Sequence, residues 1–199
     1  MASNNKAPLL YGGATSPFSR MAKLYGDHLN LDFRYELIDI YNAEFLDELN
    51  PLRQIPTLIL DDDNALFDSR TIFSYFEDQA GCDLTVLDFQ QSTRISLALG
   101  MADACLQYRM EMMLSEDDRN EPKILKLKAR MDRSVKKLND WADSITAGKV
   151  RLEQFVIACS LEYLDFRYTK NWRVECQTLD GWMKTFSQRD DMIKTRPVG

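Results

Sequence analysis

The strongest constraint on the fold is a change of pattern near residue 81. Before it, short apolar runs of two periodicities alternate; after it, every periodic stretch is helical. "PLLY" (Pro8 to Tyr11) reads as a short strand, and Pro17 to Leu29 sets Phe18, Met21, Leu24 and Tyr25 at helical spacing. "LDFRYELIDI" (Leu31 to Ile40) alternates as a half-buried strand does. "AEFLDELN" (Ala43 to Asn50) is a short helix stopped by Pro51, and Thr57 to Phe67 is a hairpin around the acidic turn Asp61 to Asn64. "SRTIFSYFEDQA" (Ser69 to Ala80) is a helix with Ser69 as its N-cap and Ile72, Phe73 and Phe76 as its buried stripe. The order is β-α-β-α-β-β-α. "GCDLTVL" (81 to 87) reads as a linker. Helices are expected over Leu87 to Leu114, Pro122 to Ile145, Leu152 to Arg167 and Cys176 to Phe186, ahead of the polar tail "QRDDMIKTRPVG". The fold class is therefore α+β, with one domain over residues 1–80 and an all-α domain over 88–199.

Charge removes one class of partner. The chain carries a net charge of −6, with a pI near 4.9, and "KLKAR" (Lys126 to Arg130) is its densest basic patch. Such a protein repels phosphate backbones, so nucleic acid is not an expected partner. No apolar run approaches membrane-spanning length, and "MASNNKAP" lacks a signal-peptide core. The cytoplasm is the expected location. The four cysteines (Cys82, Cys105, Cys159, Cys176) form no CxxC and no metal-like spacing, so free thiols and no metal site are expected. His28 is the single histidine, so a Ser-His-Asp triad could use only this residue; its place in the sequence reads more simply as a surface position at a helix end.

Three short motifs carry the candidate chemistry. "GGATSPFSR" (Gly12 to Arg20) lacks the lysine of a P-loop and the glycine placement of a dinucleotide fold, which leaves Gly12 and Gly13 as turn residues. Ser16 precedes Pro17, a residue suited to a first helical turn. Two readings stand for Ser16: a plain N-cap, or a hydroxyl at the positive helix end that stabilises a thiolate. "NPLRQIPTL" (Asn50 to Leu58) puts Pro56 just before a strand. A trans bond merely starts the strand. A cis bond turns the chain and leaves the Ile55 backbone to pair with an extended peptide. "LFDSR" (Leu66 to Arg70) sets Asp68 and Ser69 at a helix N-terminus, either as a capping pair or as a site for a carboxylate and an ammonium.

The ordered set "TSPFSR", "NPLRQIP", "LFDSR" and the helical "IACSLEYLDFR" (Ile157 to Arg167) resembles the cytosolic glutathione transferase superfamily over nearly the whole chain. It is most similar to bacterial transferase-like proteins of the serine type. The resemblance implies a thioredoxin-like, glutathione-binding first domain and a helical domain for the second substrate and dimer contacts. It implies that Ser16 activates the glutathione thiol as thiolate, with Thr15 as the nearest substitute. Ile55, before Pro56, would pair with the cysteinyl backbone, Gln54 would reach the glycyl end, and Asp68 and Ser69 would hold the γ-glutamyl head. Asp103 in "GMADAC" is the candidate to reach glutathione on a second subunit, or else to make a helix-capping or interhelical bond. Phe18, Met101, Cys105, Tyr108, Arg109 and Met112 fall near the second substrate, although the Met-rich end "YRMEMML" reads more simply as core or dimer interface.

The resemblance thus implies a homodimeric glutathione transferase. Glutathione is its co-substrate, a small electrophile its second substrate, and no cofactor is bound. The alternatives are a glutathione-dependent disulfide reductase or peroxidase, and a non-catalytic binding protein. Three departures stand out. "RLEQ" (Arg151 to Gln154) lacks the capping box that opens the family's central helix, with Glu153 one place off. Ser19 stands where an apolar residue is usual, and Arg53 where a glycine is common.

Overall fold

The structure, a computed structural model, describes residues 7–62, 64–82, 88–168 and 171–197. The chain divides into two compact units, Met1–Leu87 with Pro197–Gly199, and Asp88–Arg196. The expected linker lies mostly at 83–87, outside the described residues.

The first unit runs β1 (Leu9–Gly12), α1 (Pro17–His28), β2 (Arg34–Leu37), a 3-10 turn (Ile40–Asn42), α2 (Leu46–Leu49), β3 (Thr57–Ile59), β4 (Ala65–Phe67) and α3 (Ser69–Gln79). Its sheet has the order β2-β1-β3-β4. β2 runs parallel to β1, while β3 and β4 are antiparallel to their neighbours. This is the thioredoxin-like arrangement. Leu10 and Leu58 face each other in register and are fully buried, as are Met21, Leu24 and Ile72 from the helices. Burying such side chains is worth about 1.5–3 kcal/mol each.

Several elements are shorter than their sequence patterns. The alternation over Leu31 to Ile40 yields only four strand residues, because β2 pairs with β1 alone and β1 has four residues to offer. Leu37, at the end of that ladder, is largely exposed. α2 is a single turn. The cap of α3 also moves: Asp68 is the N-cap, its carboxylate accepting from the Arg70 N–H at 2.8 Å, and Ser69 is the first helical residue.

The second unit is all helical: α4 (Phe89–Met112), α5 (Glu121–Asp140), α6 (Ala142–Thr146), α7 (Leu152–Arg167), α8 (Gln177–Phe186) and α9 (Asp190–Lys194), with 3-10 turns at Glu116–Asp118 and Trp172–Val174. α7 is its centre, with every residue from Leu152 to Leu164 buried. Three contacts tie α7 to α4. Arg94 pairs with Glu153, the Ser160 hydroxyl lies 3.0 Å from the Ala98 carbonyl oxygen, and Cys105 Sγ lies 3.9 Å from the Tyr163 carbonyl oxygen. Residue numbers rise together along these pairs, so the two helices run parallel.

The capping expectation for α7 is half corrected. Arg151 has no side-chain acceptor to give, yet Gln154 supplies the reciprocal half of a capping box: its Oε1 accepts from the Arg151 N–H at 2.8 Å. Its Nε2 donates to the Ile145 carbonyl at 2.7 Å, and Glu153 turns to Arg94. The pattern expected over Pro122 to Ile145 breaks at Trp141 into α5 and α6. The polar tail holds a short helix, α9, anchored by fully buried Met192. No helix among the described residues is long and apolar enough to cross a membrane.

Candidate functional site

The strand register brings the three motifs to one edge of the sheet. Tyr11 pairs with Thr57, and Thr57 with Phe67, in a line across β1, β3 and β4. The next residue outward in each strand is Gly12, Pro56 and Asp68. The loops holding Ser16, Ile55 and Ser69 therefore emerge side by side, although they are far apart in sequence.

The two glycines are demanded by packing. A Cβ on Gly12 would lie 2.5 Å from the Tyr35 hydroxyl and 2.9 Å from Ser19 Cβ, and one on Gly13 would lie 2.6 Å from Ile55 Cδ1. Gly13 thus lets the first loop rest against the second. Its N–H donates to Ser19 Oγ at 3.3 Å, and its carbonyl accepts from the Ser16 N–H at 3.1 Å. These amides hold the loop on itself and are not aimed outward at a phosphate. Fully buried Ser19 has a reason to be polar: it holds the Gly13 amide.

Ser16 is the N-cap of α1, with Pro17 in the first turn, and its Oγ accepts from the Ser19 N–H at 3.2 Å. This interaction uses an acceptor lone pair and leaves the hydroxyl proton. No acceptor for that proton lies among the described residues. A half-buried Ser16 can therefore cap the helix and still donate to an anion at the helix's positive end. Thr15 and Phe18 flank it, both half-buried.

In the second loop the Ile55-Pro56 bond is cis. No hydrogen bond to the Ile55 N–H or C=O is found among the described residues, so both are open to an added extended chain. The loop is held from behind by Asn50, which is fully buried. Asn50 Nδ2 donates to the Gln54 carbonyl at 2.9 Å and to Thr57 Oγ1 at 3.0 Å, and its Oδ1 accepts from the Leu52 N–H at 3.0 Å. Thr57 Oγ1 in turn donates to the Gln54 carbonyl at 2.8 Å. The Gln54 side chain is exposed with no partner among the described residues. Arg53 has a φ of 45°, in the region that favours glycine, and its guanidinium pairs with Asp47. The pair is exposed to solvent, and it keeps the Asp47 carboxyl below its usual range.

In the third motif Asp68 has a φ of 65°, an uncommon conformation for a residue with a side chain. Such strained residues cluster at ligand sites. Asp68 is exposed, and Ser69 is nearly buried at the first position of α3. The Ser69 N–H and hydroxyl have no partner among the described residues, an arrangement suited to a carboxylate.

Asp103 lies in the second unit on α4, half-buried, accepting from Gln107 Nε2 at 2.6 Å one turn on. Met101 and Cys105 are fully buried and belong to the core, against the expectation that they face a substrate; burial pushes the Cys105 thiol up to about 12. Tyr108 is nearly buried, Arg109 and Met112 are half-buried, and Met110 and Met113 are exposed. Asn50 and Ser19 were missed as site-forming residues. The one sequence signal for Asn50 was its place before Pro51; Ser19 had none beyond being polar in an apolar position.

Comparison with known proteins agrees with this fold. Residues 15–79 match the family model for the glutathione S-transferase N-terminal domain. The chain is 26% identical over 197 residues to the uncharacterized GST-like protein YibF of Escherichia coli, covering 94% of this chain and 98% of that one. A glutathione transferase family member from Pseudomonas fluorescens Pf-5, solved with bound glutathione, superposes at a TM-score of 0.87 with 26% identity, over 97% of this chain and 100% of that one. The same family member has been solved with bound S-(propanoic acid)-glutathione, at a TM-score of 0.86 and 26% identity over the same shares of both chains. A glutathione S-transferase from Methylobacillus flagellatus with glutathione bound shares the fold at a TM-score of 0.88 and 24% identity, over 96% of this chain and 100% of that one. With a thioredoxin-like first unit, a helical second unit and these relatives along nearly its whole length, the chain is similar to glutathione transferases, which use glutathione as a substrate, and residues 15–79 match their N-terminal domain.

Proposed function

We propose that the protein is a glutathione transferase in which the Ser16 hydroxyl donates a hydrogen bond to the glutathione sulfur, stabilises the thiolate left when the thiol proton goes to solvent, and directs it at a small electrophile. The observation that carries this reading is the convergence of three open donor or acceptor sets on one sheet edge. These are the Ser16 hydroxyl, the Ile55 N–H and C=O, and the Ser69 N–H and hydroxyl. In this reading Ile55 pairs with the cysteinyl backbone. Gln54 reaches the glycyl carboxylate, Ser69 binds the γ-glutamyl carboxylate, and Asp68 meets its ammonium. These contacts hold the sulfur in place, while Ser16 and the α1 dipole lower its pKa. A serine forms no mixed disulfide, which favours thiol activation over exchange through an enzyme cysteine. A bound glutathione carrying propanoic acid on its sulfur, in the Pseudomonas relative, agrees with S-conjugate chemistry.

The same reading takes the protein as a cytoplasmic homodimer. Tyr41, Phe45 and Leu52 support an assembled state, being 76%, 47% and 60% exposed around one loop of the first unit. In a dimer Asp103 is the residue to reach a neighbour's γ-glutamyl group. The deciding test is the ultraviolet thiolate absorbance of bound glutathione, titrated with pH in wild type and Ser16→Ala. A wild-type pKa well below that of free glutathione, rising in the variant, is expected. No thiolate signal near neutral pH at saturating glutathione sinks the proposal and leaves a non-catalytic relative.

A further inference from the structure

A cationic cluster in the helical unit has no role in glutathione binding as proposed above. Cys105 on α4 touches Tyr163 on α7, with Sγ 3.9 Å from the Tyr163 carbonyl oxygen. The two helices are parallel. One turn beyond each of these residues, in the same direction, stand Arg109 and Arg167. The register therefore sets two guanidinium-bearing positions together at the C-terminal ends of neighbouring helices. The Arg167 guanidinium lies 3.8 Å from the Phe166 ring centroid and 6.0 Å from that of Tyr163, and its Nε is buried without an acceptor. Arg109 acts electrostatically on the same Tyr163 phenol.

Neither arginine makes an ion pair among the described residues. The acidic groups nearest Arg109 along α4 are engaged elsewhere: Glu111 pairs with Lys123, and Asp103 takes the Gln107 amide. Other arginines of this acidic chain, Arg53, Arg94, Arg173 and Arg189, all have carboxylates. Two half-buried like charges left without a counter-ion repel each other, and a buried guanidinium N–H without an acceptor is costly. An oxyanion relieves both costs, and a guanidinium fork suits a carboxylate or sulfonate.

We propose that Arg109 and Arg167 form an oxyanion site within the helical unit, so that this unit binds small aryl molecules bearing a carboxylate or sulfonate in preference to uncharged ones. The anion preference does not depend on the transferase reading. The competing structural role is that both arginines merely complement the negative ends of their helices. That role changes stability alone and gives no selectivity between ligands.

The test uses the full chain without glutathione and two fluorescent probes that share an aryl framework. 8-Anilinonaphthalene-1-sulfonate carries the anion, and N-phenyl-1-naphthylamine lacks it. Wild type is expected to bind the sulfonate about ten-fold more tightly than the amine, as one charge-assisted contact supplies. Arg167→Met and Arg109→Gln each remove most of that preference and leave the amine's affinity alone, while Arg167→Lys keeps it. If one variant fails to fold, the other still decides. A wild type with no sulfonate preference, or variants that weaken both probes equally, overturns the subsite. Thiolate titration of the same wild-type sample separates the two proposals: an anion preference without a thiolate signal keeps the subsite and removes the transferase reading.

Discussion

Asn50→Ala is the perturbation that best tests how the candidate site is held. Asn50 touches no ligand in the proposed mode, yet its amide makes three hydrogen bonds at 2.9–3.0 Å in a fully buried position. At roughly 1 kcal/mol net for each bond, the substitution costs about 3 kcal/mol in a urea titration, with a range of about 2–4. The Gln54 carbonyl keeps Thr57 Oγ1 as a partner, so the loop loosens and is not released. If loosening frees the backbone of one residue, glutathione must reorder it at about 1–2 kcal/mol, raising Kd ~5–30-fold by calorimetry. Thr57→Val in a double-mutant cycle should couple to Asn50→Ala, because both side chains serve the same carbonyl. Asn50→Asp has the same shape but aims an acceptor at the Gln54 carbonyl. Burial raises the pKa of that carboxyl, so its cost sets in as pH rises above about 4 and eases at lower pH. A stability loss for Asn50→Ala below about 1 kcal/mol, or a full loss with unchanged glutathione affinity, refutes the argument that this buried amide positions the Gln54-Ile55 segment.

Three further outcomes follow from the same contacts. Gly12→Ala places a methyl 2.9 Å from Ser19 Cβ, an atom fixed on α1, so thermal or urea unfolding should show a loss of about 1–3 kcal/mol. Arg53→Gly removes a side chain from a φ of 45° at the expense of an exposed ion pair with Asp47, and its melting temperature should equal or exceed that of wild type. Cys105 has a folded pKa raised to about 12 from 9.0. The stability linked to its neutral thiol is present below about pH 9 and is lost as pH rises from there toward 12. Cys105→Ala should flatten the alkaline limb of the stability–pH curve relative to wild type, and iodoacetamide should label exposed Cys82 in the native protein while sparing Cys105.

The architecture was legible where it depends on periodicity and on residues that break it. Phe18, Met21, Leu24 and Tyr25 mark α1 by spacing alone, and the shift to unbroken helical pattern marks the second unit. Boundaries set by partners were not legible. β2 stops after four residues because β1 offers no more, and nothing in "LDFRYELIDI" records the length of its neighbour. The choice of cap at α3 was likewise open, since Asp68 and Ser69 are both good caps; the bond from the Arg70 N–H to the Asp68 carboxylate decides it and makes Ser69 the first helical residue. Arg167 was seen only as the end of an apolar helix, because its relation to Arg109 depends on α4 and α7 running parallel.

The motif around Ser16 shows most clearly where sequence reasoning framed a choice that the capping geometry does not force. Read from "GGATSPFSR", Ser16 is either a helix cap or a thiol-activating donor. The two roles compete only if one atom must serve both with the same valence. A cap accepts, and the Ser19 N–H at 3.2 Å takes one lone pair of Ser16 Oγ. Activation donates, and the hydroxyl proton is not spent on that bond. Capping fixes Oγ at the positive end of α1 with one lone pair committed to the backbone, and a donor role for the hydroxyl is compatible with it. Ser16→Ala should then cost about 1 kcal/mol of stability from the lost cap, and the same substitution should raise the thiol pKa of bound glutathione. Stability loss without the pKa change would leave Ser16 as a cap alone; the pKa change without stability loss would mean that the 3.2 Å contact contributes nothing to holding the helix.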